Sequence, residues 1–147
     1  MSGLLPISRS PEFMRCYGCG PANQHGLRLE FGLDERERRV EARWTPAGDF
    51  AGYKTMVHGG VIATMLDEGM GWALWGLAQK TGVTRELKIR FLRPVVIDHE
   101  YRVHGWVERS DDTLAVVRSA VLDGRGRVAA EATGEWALIS PDKVRDR

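Results

Sequence analysis

A chain of 147 residues, 43% hydrophobic and 28% charged, is expected to form one domain with a core of its own. Its 21 basic residues nearly cancel its 20 acidic ones, and a net charge of +1 leaves no footprint for nucleic acid or an anionic membrane. Two cysteines are too few for a disulfide framework, and Leu4-Leu5-Pro6-Ile7 is too short an apolar run to be a secretory signal, so a cytoplasmic location is expected.

Met1–Phe13 has no hydrophobic period and reads as an N-terminal arm. Cys16 and Cys19 follow as a C-x-x-C pair. A structural zinc site normally takes four ligands. His25 would be a third, but no second cysteine pair exists, and the βαβ context of a thioredoxin-like motif is missing. The pair is therefore read as a reduced loop motif without metal. Leu27–Leu33 alternates and is expected to be a strand, as is Val40–Trp44, with the charged turn Asp34–Arg38 between them. A loop runs from Pro46 to Val57.

His58-Gly59-Gly60 then opens a long apolar stretch, in which the only formal charges up to Gln79 are Asp67 and Glu68. Apolar residues nearly all round predict a buried central helix, stopping near Thr81-Gly82. By length alone the stretch would cross a bilayer. The paired acids, the many glycines and the missing flanking anchors argue against that. A carboxylate in such a helix is costly unless it is paired or used. The two glycines let a ligand approach the first orphan N–H groups, where negative charge developing on an acyl oxygen would be stabilised.

After Gly82 the period changes to two. Leu87, Ile89 and Phe91 share one face, Glu86, Lys88 and Arg90 the other, and Pro94 ends the strand. Tyr101, Val103, Gly105 and Val107 mark the next apolar face. Ser110-Asp111-Asp112 is a turn, Thr113–Leu122 a strand, Asp123–Gly126 a hairpin and Val128–Ile139 the closing strand. Pro141–Arg147 is a polar tail. Two strands before the helix and about four after it, as a meander, predict an α+β domain over residues 1–147, with one curved antiparallel sheet wrapped around one long helix. Five tryptophans imply large apolar surfaces to cover, in a core or an interface.

His58-Gly59-Gly60, an acid nine positions after the histidine, and strands on both sides of the helix resemble the hotdog-fold acyl-CoA thioesterases. The nearest likeness is to their phenylacetyl-CoA and 4-hydroxybenzoyl-CoA thioesterase-like branch. Cys16-Tyr17-Gly18-Cys19-Gly20-Pro21, His25-Gly26-Leu27, Gly82-Val83-Thr84 and Arg93-Pro94-Val95 add to it. The resemblance implies hydrolysis of an acyl-CoA to the free acid and CoA. The cleft would lie at the interface of a homodimer or homotetramer, with no cofactor and no metal. It implies that Asp67 attacks the thioester carbonyl or takes a proton from water, that the Gly59 N–H polarises that carbonyl, and that Thr84 holds the attacking water. His58 would orient the loop or contact the thioester.

Gly60 and Glu68 are expected to line the substrate. Glu68 lies about 100° around the helix from Asp67. It reads as a supporting group, an inter-subunit partner or, failing Asp67, the acid itself. Arg85, Lys88, Arg90 and Arg93 are candidates for the CoA phosphates, against the alternative of a solvated strand face. One position departs from the pattern: some branches carry Asn or Gln six residues before the histidine, where this chain has Gly52. Any amide role there is absent or filled from elsewhere. Two other functions stay open. An enoyl-thioester hydratase or dehydratase of the same fold needs a histidine and an acid placed together. A non-catalytic acyl-CoA-binding module would keep the pocket and tolerate loss of Asp67.

Overall fold

The structure is a computed structural model and describes residues 3–140; Met1, Ser2 and the expected polar tail Pro141–Arg147 lie outside the described residues. Seven strands and one long helix follow in the order β1 (Leu5–Pro6), β2 (Phe31–Asp34), β3 (Arg39–Trp44), α1 (Gly59–Ala78), β4 (Thr81–Phe91), β5 (Tyr101–Ser110), β6 (Leu114–Leu122) and β7 (Val128–Ile139). They form one sheet in the order β1-β2-β3-β5-β6-β7-β4, antiparallel throughout. The concave face of that sheet holds α1, which is the hotdog arrangement that the resemblance implied.

Alternation along the strands decides what meets the helix. Val40, Ala42, Val103, Val117 and Val121 are buried together with Met65, Leu66, Met70 and Leu74 of α1. The helix backbone comes closest at Gly69: a Cβ on Gly105 of β5 would collide with the Gly69 carbonyl. Two facing glycines thus seat the middle of the helix directly on the sheet. No helix among the described residues is long and apolar enough to cross a membrane.

Four details differ from the sequence expectation. Of the predicted strand Leu27–Leu33 only Phe31–Leu33 joins the sheet, and Asp34, expected in the turn, extends it to β2. Leu27 and Leu29 are buried as the alternation requires, but their N–H groups donate to the carbonyls of Tyr17 and Gly18, each at 2.9 Å, and Arg28 at φ 57° breaks the extended run. The helix ends at Ala78, not near Gly82, because Gln79 takes the left-handed cap conformation at φ 55° and its N–H returns to the Leu74 carbonyl. Gly82 lies within β4, where a Cβ would come 2.5 Å from the Ala137 carbonyl oxygen.

The four strands after the helix are not one meander. β5, β6 and β7 are, but β4 crosses to the far edge and pairs with β7 from Thr81↔Ile139 to Phe91↔Ala130. The return from β4 to β5 runs beside the loop before the helix, with Val57 N–H donating to the Val95 carbonyl at 2.7 Å and Ile97 N–H to Thr55 at 2.9 Å. Alternation reports which face a strand shows the core; it does not say which strand lies beside it. Finally, the N-terminal arm is packed. Leu5 and Pro6 pair with Leu33 and Gly32, Phe13 meets Trp72 and Trp75 edge to face, and Trp75 Nε1 donates to the Ser8 carbonyl at 2.8 Å.

Candidate active site

His58 is the residue before the helix, in an extended conformation, and its own N–H donates to the Phe50 carbonyl at 2.9 Å. Its ring works as a cap: the Gly60 N–H donates to His58 Nδ1 at 2.9 Å. That bond requires an unprotonated Nδ1. Val61 and Ile62 send their N–H groups to the His58 carbonyl at 2.9 and 3.1 Å. The bond from Ile62 is the first regular helical one, and of the four orphan donors before it, those of His58, Gly60 and Val61 are thereby occupied. Among the described residues nothing accepts from the fourth, the Gly59 N–H. A Cβ at Gly59 would meet only the Phe91 ring edge, at 3.9 Å. The absence of a side chain at this position is thus not dictated by packing within the chain, and it leaves the free donor open to a ligand. An exposed groove of about 530 Å³ adjoins it, with His58, Gly59, Tyr53, Phe91 and Arg93 among its walls.

Gly52, the position at which the sequence departs from the expected pattern, packs against His58, since a Cβ there would lie 3.0 Å from the His58 Cα. A side chain at that position would press on the cap, so no amide reaches the groove from there.

Two turns further along the helix, Asp67 turns toward β4, where Thr84 Oγ1 donates to Asp67 Oδ1 at 2.5 Å. A bulge between Thr84 and Glu86 interrupts the register of β4 at this point. Burial raises the Asp67 carboxyl above the usual aspartate range, the Thr84 bond opposes that rise, and the charge at Cys16 adds to it. Glu68 turns the other way, onto the N-terminal loop, where the Cys16 thiol donates to Glu68 Oε1 at 3.1 Å. Burial, then the adjacent Cys16, pushes Glu68 up to about 8. Cys16 falls to about 5, chiefly because the Cys19 thiol donates to it, and Cys19 is pushed up in turn. The neighbouring acids therefore serve two different surroundings, as the helical rotation between them requires.

The four basic candidates divide. Leu87 and Ile89 pack on the core, so Lys88 and Arg90, opposite Thr133 and Glu131, stand on the face of the sheet away from the helix. Arg85 is exposed at the bulge. Arg93, beyond the strand end, lines the groove at Gly59 and donates through Nη1 to the Val128 carbonyl at 3.3 Å. Among the described residues none of the four makes an ion pair.

Sequence reasoning missed two clusters. Cys16, Cys19 and Glu68 are brought together, whereas His25, the ligand weighed for the cysteines, is exposed on a separate groove beside Tyr17 and His58. Only the position of Glu68, one residue round the helix from Asp67, hinted that it faced something else. Glu41 and His104 form a buried pair at 2.7 Å on the sheet face away from the helix. Burial lowers the His104 pKa, against the pull of Glu41.

A family model described as the thioesterase superfamily matches residues 55–130, the span from the loop before α1 into β7. A Saccharolobus solfataricus protein provisionally named an esterase is 30% identical over 112 residues, covering 76% of this chain and 65% of its own length. The zebrafish thioesterase superfamily member 2 has the same fold, with a TM-score of 0.73 at 18% identity over 92% of this chain and 99% of that one. A Bacillus halodurans protein solved with CoA gives a TM-score of 0.68 at 26% identity, over 78% of this chain and 76% of that one. The chain spans between 34% and 65% of the lengths of the curated relatives it matches.

Proposed function

The chain belongs to the thioesterase superfamily, and on that premise we propose that it hydrolyses an acyl-CoA to the free acid and CoA. The observation that carries the reading is the pairing of a half-buried carboxylate, Asp67, with the Thr84 hydroxyl on β4, on the same helix whose first N–H, at Gly59, is unengaged. While Thr84 donates to Asp67, its oxygen lone pairs are available to accept from a water. Asp67 takes the proton of that water as its oxygen attacks the thioester carbonyl. The carbonyl oxygen gathers negative charge on the Gly59 N–H, and collapse of the adduct expels the CoA thiolate. A carboxyl raised toward the working pH is better matched to this base role than an ordinary surface aspartate. Arg93 stands where a phosphate of CoA entering the Gly59 groove would find a charged donor.

Gly59 and Asp67 are eight residues apart on one helix, a rise of about 12 Å. No single carbonyl group reaches both. The proposed site therefore combines the N–H of one subunit with the carboxylate of a second copy. Among the described residues the outer edge of β4 has no strand beside it, which supports such an assembly: Val83, beside Thr84, Phe91 at the strand end and Leu92 just past it are exposed at 54%, 56% and 46%.

The test is release of free thiol from a panel of acyl-CoAs, with wild type and Asp67→Asn compared on the substrate that turns over best. Asp67→Asn preserves size, so the fold and assembly are expected to survive while kcat falls about 10²–10⁴-fold. Binding of a non-hydrolysable acyl-CoA analogue without thiol release from any substrate would assign the chain to binding rather than hydrolysis. Hydration of enoyl-CoA without thiol release would make it a hydratase.

A further inference from the structure

The geometry points to a metal site at Cys16, Cys19 and Glu68, taking a thiophilic divalent cation such as zinc, with its fourth position open to the adjoining cavity. The site stands apart from the proposed hydrolysis and does not depend on it. One ligand atom from each residue lies within 4.8 Å of the other two, and Cys16 Sγ is already 3.1 Å from Glu68 Oε1. Around a tetrahedral zinc such atoms sit about 3.5–3.8 Å apart.

The loop is built as a ligand knuckle. The C-x-x-C spacing puts both sulfurs on one turn, which the Gly20 N–H closes by donating to the Cys16 carbonyl at 2.8 Å. Gly18 permits the loop to lie flat on the carboxylate, because a Cβ there would overlap the Glu68 side chain. Two thiolates and a carboxylate prefer zinc-like cations over magnesium or calcium. Glu68 has no ion-pair partner among the described residues. Arg9 reaches the rim of the cluster: it lies over the Trp72 ring and donates through Nη1 to the Cys19 carbonyl at 2.7 Å. Three anionic ligands facing a divalent cation leave one negative charge, which Arg9 balances from the rim.

A cavity of about 160 Å³ touches all three ligands and is walled by Phe13, Trp72 and Trp136. It has room for a water or a small anionic ligand in the fourth position. A metal there would fasten the N-terminal loop to the middle of α1. That loop is otherwise tied by backbone bonds to the segment just before β2, as in Leu29 N–H to the Gly18 carbonyl at 2.9 Å.

The full-length chain, reduced and metal-free under anaerobic conditions, is titrated with cobalt(II). The expected result is one ion per chain with a thiolate-to-cobalt charge-transfer band in the near ultraviolet, displaced by zinc. Cys16→Ser abolishes the band. Glu68→Gln keeps both thiolates and the band but weakens binding about tenfold or more. His25→Ala changes neither. Zinc raises the Tm of the wild type and not that of Cys16→Ser, with far-ultraviolet circular dichroism confirming that both variants are folded. A wild type without a saturable band, a band that survives Cys16→Ser, or an affinity untouched by Glu68→Gln would each overturn the assignment. So would a Cys16–Cys19 disulfide that forms in air while the reduced protein takes up no cobalt; the pair would then be a redox couple.

Discussion

Asp67 and Thr84 together set the pH range in which the proposed base operates. Burial raises the Asp67 pKa and the Thr84 bond holds that rise in check. A base must be ionised, so kcat/KM is expected to fall as pH drops through the Asp67 pKa, with a midpoint above the usual aspartate value of about 3.9. Thr84→Val removes the bond that lowers the pKa. The acid limb should therefore move to higher pH, and kcat should drop as the water loses its holder. A limb that stays in place in Thr84→Val would mean that the hydroxyl does not act through Asp67. Gly59 allows an equally specific test. It occupies the first helical position, where proline is tolerated because its missing N–H would have been an orphan. The extended His58 before it suits a following proline as well. Gly59→Pro is expected to fold normally and to lose about 10²–10³-fold in kcat, the cost of removing one carbonyl-polarising donor. Retained activity in a folded Gly59→Pro protein would remove that N–H from the mechanism.

At the scale of the element, the start of α1 is a cap made from an unusual residue. His58 Nδ1 does for Gly60 what a serine or aspartate side chain commonly does at this position. His58→Ala is expected to cost about 0.5–2 kcal/mol of stability, while His58→Asn, which keeps a side-chain acceptor, should recover most of it. Thermal or urea unfolding of the three proteins decides this. A histidine acting on the substrate directly would show the opposite pattern, with stability unchanged and His58→Asn as inactive as His58→Ala. The far side of the same helix is constrained by backbone contact, because Gly105 and Gly69 leave no room for a methyl group between α1 and β5. The helix is thus pinned at its centre and capped at its start, and the proposed donor Gly59 and base Asp67 lie between those two points.

For the whole molecule, the arrangement of one helix predicts the number of chains. A donor and a base about 12 Å apart along α1 serve one thioester only if a second subunit supplies the missing member. Light scattering at micromolar concentration is expected to give a multiple of 16.5 kDa. Asp67→Asn and Gly59→Pro homo-oligomers should both be nearly inactive, yet co-refolded mixtures should regain activity. Each hybrid interface contains one site with an intact N–H from one chain and an intact carboxylate from the other. Inactive mixtures would place both groups of a site in the same subunit. Phe91→Glu, on the exposed end of β4, should weaken the assembly and the activity together.

Local pattern alone determined a large part of this protein. The buried helix, its two adjacent acids on different faces, the core faces of the strands and the closing hairpin follow from periodicity and turn residues, which act over a few positions along the chain. The motif His58-Gly59-Gly60 with Asp67 pointed to the family for the same reason: its spacing is local, within one helix. What remained for the tertiary structure was everything that depends on a neighbour distant in sequence. β4 sits at the edge beside β7 because register and partner choice are settled by packing of whole faces, which alternation does not report. Gln79, not Gly82, ends the helix by taking the left-handed cap, while Gly82 is used within β4, close against Ala137. Cys16 and Cys19 find Glu68 instead of His25 because the loop folds across the helix, bringing together residues 52 positions apart. That encounter is a consequence of three-dimensional proximity, and no spacing rule along the chain contains it.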